Sequence, residues 1–140
     1  MDLLKKAYDI AYKAHLGQYD KSGKEYINHP VTVASFCETE EEKIVALLHD
    51  VIEDTEVKIE ELEIYFNENI ISALKLLTHD PNEDYFSYLA KIKNNPLAKK
   101  VKLADLKHNM DMSRFDNPTQ RDFDRLEYKY KPALKFLLGE

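Results

Sequence analysis

Apolar residues recur every three or four positions along almost the whole chain, which is the spacing of one face of an α-helix. The pattern predicts about eight helices, and the apolar face of the first consists of Leu3, Leu4, Ala7, Ala11 and Ala14. Gly17 follows at the usual stop position. Pro30, Pro96 and Pro118 mark later helix starts, whereas Pro132 is expected to break or kink the last helix. The predicted fold class is therefore all-α, a single helical bundle.

Composition narrows the range of partners. A length of 140 residues favours a single domain that spans residues 1–140, and the sequence contains no repeat or linker. Twenty basic against 26 acidic side chains give a net charge of −6, which argues against general affinity for nucleic acid or anionic membranes. No apolar run is long enough to span a membrane, no signal-peptide core is present, and the single Cys37 cannot form an internal disulfide. We therefore expect a cytoplasmic location, and the oligomeric state is left open.

The third predicted helix places acidic residues beside an apolar stripe. His49 and Glu53 are four residues apart, as are Asp50 and Asp54, so each pair shares a helix face. Such charged groups in an apolar setting cost free energy unless a positive charge, for example a divalent metal, neutralises them. A solvated acidic end of an amphipathic helix explains this stretch about equally well.

Two further residues favour a metal site over a solvated helix end. His29, at a helix entrance, is by itself more often a cap or a packed side chain, and Asp105, on an apolar face, is more often in a structural salt bridge. Together with His49 and Asp50 they form a set of two histidines and two aspartates on three helices. Mixed imidazole and carboxylate ligands suit Mn, Fe or Zn, and helical bundles assemble such sites in their cores. A metal there would acidify a bound water and polarise a phosphorus–oxygen bond.

These four residues resemble the H…HD…D pattern of the HD-domain metal-dependent phosphohydrolases. The wider sequence is similar to the hydrolase domain of RelA/SpoT-type alarmone enzymes between residue 7 and about residue 115. The similar segments, in order, are Ala14–Gln18, Lys21–Gly23, Tyr26–Pro30, Ala46–Thr55, Leu76–Thr78, Val101–Asp105 and His108–Met110.

The resemblance implies an all-α HD fold, a Mn²⁺ cofactor (another divalent metal is possible) and a small nucleotide substrate. The implied reaction is hydrolysis of the 3′-pyrophosphate of guanosine tetra- or pentaphosphate to GDP or GTP and pyrophosphate. The chain is too short to carry a synthetase as well. The implied metal ligands are His29, His49, Asp50 and Asp105. The implied catalytic residues are Glu53 and Asp54, and the implied substrate-binding residues are Lys21, Ser22, Tyr26 and Asn109.

One departure from the family concerns the loop before Ser22. The family usually has two basic residues there, the first packing on the guanine base, but this chain has Asp20 followed by Lys21. An aspartate offers no guanidinium plane for stacking and repels a polyphosphate. An HD phosphohydrolase acting on another nucleotide or phosphoester is therefore the alternative. A binding module without chemistry is disfavoured, because Glu53 and Asp54 are both present.

Other polar and aromatic residues are predicted to have structural roles. His15 and His79 are expected to be packed or capping residues, and Cys37 is expected to be buried and inert. The tyrosines predicted to form core and rim are Tyr8, Tyr12, Tyr85 and Tyr88. Lys102 and Lys107 are possible further sources of positive charge.

Overall fold

A computed structural model describes residues 2–140, and over this range the chain forms ten α-helices. Their bounds are α1 Leu3–Ala14, α2 Asn28–Ser35, α3 Glu40–Leu48, α4 Val51–Asp54, α5 Ile59–Glu63, α6 Glu68–Leu77, α7 Tyr85–Lys93, α8 Pro96–Asn109, α9 Gln120–Arg125 and α10 Lys131–Leu138. Extended pairing in this part of the chain is limited to one bridge between Tyr19 and Glu25. The predicted all-α fold is confirmed.

Two predicted helices are each divided in the structure, which explains ten helices instead of about eight. The predicted third helix ends at Leu48, and α4 begins at Val51 after a turn at His49 and Asp50. The predicted stacking of His49 over Glu53 on one continuous helix is therefore wrong. No glycine or proline marks this turn in the sequence.

The second division lies near the C-terminus. A wide π-helical turn, residues 126–130, separates α9 from α10, which carries Pro132 in its first turn. Proline lacks an N–H group, and its ring clashes with the carbonyl four residues earlier, so a regular helix cannot continue through it. The wide turn relieves this conflict. The predicted interruption at Pro132 is confirmed.

The core is built around α3, whose five residues from Ile44 to Leu48 are all buried. Helices α1 and α2 pack against α3, and α8 contacts α2, α3 and α6. At the start of α3, Thr39 accepts a hydrogen bond from the Glu42 N–H while the Glu42 carboxylate accepts one from the Thr39 N–H. At the start of α8, the Asn95 side chain accepts a hydrogen bond from the Ala98 N–H. These caps fix where α3 and α8, two of the helices that carry the candidate site, begin.

Within residues 2–140, every helix is too short or too polar to traverse a lipid bilayer. Cys37 is buried, as predicted, and its thiol donates to the Val33 carbonyl. His15 is also buried and packs against Tyr26 with ring centroids 4.9 Å apart.

Candidate metal centre

Three helices bring two histidines and one aspartate together in the interior. His29 lies in the first turn of α2, His49 follows the last residue of α3, and Asp105 lies on α8. All three are buried, and their potential ligand atoms lie within 4.8 Å of one another. His29 Nε2 is 2.9 Å and His49 Nε2 is 3.3 Å from the same oxygen, Asp105 Oδ1. One point in the interior is thus accessible to a ligand atom from each helix.

Asp50 completes the group from the turn between α3 and α4. Its Oδ2 atom is 3.1 Å from His49 Nε2 and 3.7 Å from His29 Nε2. The Tyr26 hydroxyl donates a hydrogen bond of 2.6 Å to the same oxygen. Burial and the charge of Asp50 raise the pKa of Tyr26, so its hydroxyl keeps the proton that it donates. The structure therefore brings all four predicted ligands together.

The bonding of His49 tests whether these residues fit a metal. His49 Nδ1 donates to the Ala46 carbonyl at 2.5 Å, so Nε2 carries the lone pair in the neutral ring. Nε2 is buried, and among residues 2–140 it has no hydrogen-bond partner, because neither nearby carboxylate oxygen lies in a suitable direction. A lone pair facing carboxylate oxygens is unfavourable unless a cation lies between them. The donor set of two imidazoles and two carboxylates fits a divalent metal.

The charges in the group shift its pKa values strongly. Burial raises the pKa of Asp50, but the charge of His49 lowers it to about 2. Burial acts in the same way on Asp105, whereas Lys102 and the two histidines hold its pKa well below the usual range. For His49, burial lowers the pKa, but the two aspartates raise it well above the usual value, so without a metal they favour a proton on the nitrogen that would bind the ion. Both carboxylates therefore stay ionised at neutral pH.

Asp105 is held in place by two more residues on α8. Lys102 Nζ donates to Asp105 Oδ2 at 3.0 Å, and Asn109 Nδ2 donates to Oδ1 at 3.3 Å. The side chains of Lys102 and Asp105 are only 13% and 7% exposed. Burial lowers the pKa of Lys102, but Asp105 raises it well above its usual value, so the pair is ionised. Lys102 thus balances one of the two buried carboxylates.

We expect Lys102→Met to lower the free energy of unfolding of the metal-free protein by about 3 kcal/mol, because it leaves the buried Asp105 carboxylate without its lysine partner. Urea unfolding measures the loss. Lys100→Met, an exposed lysine on the same helix, is the matched control and should change stability by less than about 0.5 kcal/mol. Equal stability of the two variants would show that Asp105 does not depend on Lys102.

Glu53 and Asp54 lie beside this group on α4. Their carboxylates and that of Asp50 lie within 4.8 Å of one another. Glu53 Oε1 accepts a hydrogen bond of 2.6 Å from the His79 N–H, which fixes its position. Burial, together with the charges of Asp50 and Glu53, raises the pKa of Asp54 to about 6. The His79 ring donates to the Glu83 carbonyl, as expected for a structural histidine.

A cavity of about 390 Å³ is lined by the candidate metal group, which consists of His29, His49, Asp50 and Asp105. Three predicted substrate-binding residues, Lys21, Tyr26 and Asn109, line this cavity, but Ser22 does not. The Ser22 and Lys24 N–H groups instead donate to Asp20 Oδ1, so Asp20 stabilises the loop turn. Of the predicted aromatic rim, Tyr85 and Tyr88 line the cavity, whereas Tyr8 and Tyr12 are largely exposed on α1.

Sequence reasoning missed the contribution of the C-terminal segment. Arg125, Lys129 and Tyr130 line the cavity, as does Arg114 from the turn after α8. Lys21 Nζ forms an ion pair with both oxygens of the buried Asp122, at 2.7 and 2.8 Å, which links the loop to α9. In the sequence, the four-residue spacing of Arg125 and Lys129 indicates that both residues lie on the same face of a helix. Lys107 is away from the cavity, over the Phe36 ring.

Comparison with known proteins identifies the family. Residues 7–95 match the family model described as HD domain. The chain belongs to the HD domain family. The matched region includes His29, the His49-Asp50 pair and the Glu53-Asp54 pair, while Asp105 lies beyond it on α8.

Curated relatives of this HD domain align with most of the chain. It is 37% identical over 122 residues to a guanosine-3′,5′-bis(diphosphate) 3′-pyrophosphohydrolase of Borreliella burgdorferi, covering 75% of this chain and 18% of that protein. It is 36% identical over 124 residues to the bifunctional (p)ppGpp synthase/hydrolase SpoT of Escherichia coli, covering 76% of this chain and 17% of that protein. The chain therefore spans less than a fifth of the length of these relatives.

A solved structure supports the fold over nearly the full length. It is a metazoan ortholog of SpoT that hydrolyzes ppGpp and plays a role in starvation responses. The TM-score is 0.77 at 23% identity, and the match covers 99% of this chain and 86% of that chain. The helices beyond residue 95 thus belong to the shared fold.

Proposed function

We propose that this chain, as a single domain over residues 1–140, hydrolyses the 3′-pyrophosphate of guanosine tetra- or pentaphosphate with Mn²⁺ as cofactor. The products would be GDP or GTP and pyrophosphate. The observation that carries the proposal is the meeting of His29, His49, Asp50 and Asp105 beside the Glu53-Asp54 pair, at the base of one cavity. The activities named for the relatives support the same reaction.

Each acidic or imidazole group has a place in this reaction. His29, His49, Asp50 and Asp105 would hold the divalent ion, which when bound polarises a phosphoryl oxygen and acidifies water. Glu53, fixed by the His79 N–H, would orient the attacking water. Asp54, with its pKa of about 6, is suited to accept the proton of that water near neutral pH. The water oxygen would bond to the phosphorus next to the ribose as the bond from that phosphorus to the ribose 3′-oxygen breaks, and the proton taken up by Asp54 would pass to the leaving oxygen.

Basic residues that line the cavity would bind the phosphates. Arg114, Arg125 and Lys129 bring positive charge to a cavity whose base is acidic. Burial lowers the pKa of Lys129, and the neighbouring positive charges of Lys102 and Arg125 lower it further. The Nε atom of Arg114 is buried, and among the described residues 2–140 it has no hydrogen-bond partner. A polyanion would balance this charge.

Asp20 favours a second candidate. Its carboxylate lines the cavity, and two backbone N–H groups of the loop hold it there. It cannot stack on guanine as an arginine would. An HD phosphohydrolase acting on a different nucleotide or phosphoester is therefore the alternative function.

The deciding experiment is an assay of pyrophosphate and phosphate release from guanosine 3′,5′-bis(diphosphate), with Mn²⁺ or with a chelator. Pyrophosphate release that requires Mn²⁺ supports the proposal. A protein that binds one Mn²⁺ but leaves this substrate intact contradicts it, and a panel of other nucleotides and phosphoesters then tests the alternative. Adenosine 3′,5′-bis(diphosphate) in the same assay measures guanine selectivity directly.

The ion pair between Lys21 and Asp122 gives a separate prediction for substrate binding. We expect Lys21→Met and Asp122→Asn each to raise KM by about threefold, because the ion pair between the half-exposed lysine and the buried aspartate holds the loop against α9. The double variant should show no larger effect than either single variant, since both remove one interaction. A rise in KM for Lys21→Met alone, with a fall for Asp122→Asn, would instead show that Lys21 binds the substrate directly.

A further inference from the structure

His29 is contacted at both ring nitrogens by side chains of α8. Asp105 Oδ1 lies 2.9 Å from Nε2, and His108 Nδ1 lies 2.7 Å from Nδ1. Asp105 and His108 are three residues apart, so the same helix face presents both. Helix α8 therefore determines both the position and the rotation of the His29 ring.

The contact between the two imidazoles is an in-plane hydrogen bond. Their planes are inclined by only 19°, and their centroids are 4.9 Å apart. Since the nitrogens are 2.7 Å apart, the centroid separation equals roughly that distance plus two ring radii. The rings therefore meet edge to edge, with the lone pair of one nitrogen facing the N–H of the other. Stacked rings would have much closer centroids for the same nitrogen separation.

The direction of this hydrogen bond decides whether His29 can bind a metal. A neutral imidazole has one N–H and one bare nitrogen, and only the bare nitrogen is a ligand. His29 Nε2 is bare only if Nδ1 carries the proton and donates it to His108 Nδ1. His108 must then be the tautomer with a bare Nδ1 that accepts.

The metal-binding tautomer of His49 is fixed in a different way. Its Nδ1 faces the Ala46 carbonyl, which can only accept, so the backbone fixes the ligand tautomer of His49. The Nδ1 partner of His29 is a side chain that can donate or accept. The tautomer of His29 therefore depends on residue 108, and this dependence can be tested by substitution.

We propose that His108 is a positioning residue that accepts the Nδ1 proton of His29 and so directs the Nε2 lone pair of His29 to the metal. The inference rests on the metal ligands of the proposed function and goes beyond them, since His108 is itself not a ligand. Partners of this kind orient a histidine ligand and raise its basicity, and their loss typically weakens metal binding by about 10- to 100-fold.

Two substitutions separate the hydrogen bond from packing. In His108→Asn, the amide Oδ1 occupies the place of the imidazole Nδ1 and can still accept. In His108→Leu, the side chain fills space but accepts nothing. We expect His108→Leu to raise the Kd for Mn²⁺ by about 10- to 100-fold. His108→Asn should stay within about threefold of the wild type, because the acceptor is retained.

Calorimetric titration with MnCl₂ measures the Kd values without any substrate. A failure to hydrolyse guanosine tetraphosphate therefore leaves this test intact. Equal affinity of His108→Leu and wild type would overturn the proposal. An equal loss of Mn²⁺ affinity in both variants would also overturn the proposal, provided that each metal-free variant melts at the wild-type temperature. Metal binding would then depend on the packing of His108 and not on its role as an acceptor.

A measurement on the wild type covers the case in which the leucine variant does not fold. Long-range ¹H–¹⁵N spectra of the protein loaded with diamagnetic Zn²⁺ report which ring nitrogen of each histidine carries a proton. The proposal requires a protonated Nδ1 on His29 and a bare Nδ1 on His108. The opposite pattern, with His108 donating to a bare His29 Nδ1, would contradict it.

Discussion

Asp50→Asn is expected to abolish both Mn²⁺ binding and hydrolysis. The substitution removes a charge from the metal group and places an amide near His49 Nε2, 3.1 Å from the present Oδ2. An amide carries no negative charge to balance the metal and cannot supply the carboxylate ligand that Mn²⁺ prefers. A bound metal supplies several kcal/mol of transition-state stabilisation, so the rate should fall by on the order of 10³-fold or more.

Calorimetry with MnCl₂ and pyrophosphate release test this result together. Asp116→Asn, at an exposed position outside the cavity, is the matched control and should retain both properties. An Asp50→Asn protein that binds Mn²⁺ with wild-type affinity would show that the metal lies elsewhere.

Glu53→Gln is expected to separate the two properties: the variant should still bind the metal but should lose turnover. The glutamine oxygen can still accept the hydrogen bond from the His79 N–H, so the side chain should stay in place. It cannot hold the attacking water as a carboxylate does. Loss of a positioned acid–base group typically costs about 10²- to 10⁴-fold in rate, and we expect a fall of this size in kcat.

Single-turnover assays at saturating Mn²⁺ separate this effect from metal loss. Glu56→Gln, two residues beyond α4 and exposed, is the control and should have wild-type kcat. Unchanged kcat in Glu53→Gln would remove Glu53 from the chemistry and leave Asp54 as the candidate base.

The clustering of His29, His49, Asp50 and Asp105 was predictable because these residues break the local pattern. Asp105 stands out as a charge on an apolar helix face, and the His49-Asp50 pair ends a buried apolar run. Helix periodicity then placed these residues near a common core. The turn between α3 and α4 was not predictable, because no residue at His49 or Asp50 favours a break.

Long-range polar contacts also could not be predicted from the sequence. Lys21 and Asp122 are 101 residues apart, and each resembles any surface charge until the fold brings them together. The contact between His29 and His108 depends on the rotation of two helices about their axes, which periodicity does not define to within a hydrogen-bond length. Ser22 shows the converse, since its place in a matching segment predicted a substrate contact, yet Ser22 does not line the cavity.

The wide turn before α10 also selects the side chains that face the cavity. A turn closed by bonds to the fifth residue holds more residues than the 3.6 of an α-helical turn. Residues four and five positions apart then point in similar directions, which is how Lys129 and Tyr130 both share the cavity wall with Arg125. Pro132 itself does not line the cavity, yet replacing it would allow a regular α-helical turn here and so point these three side chains in different directions.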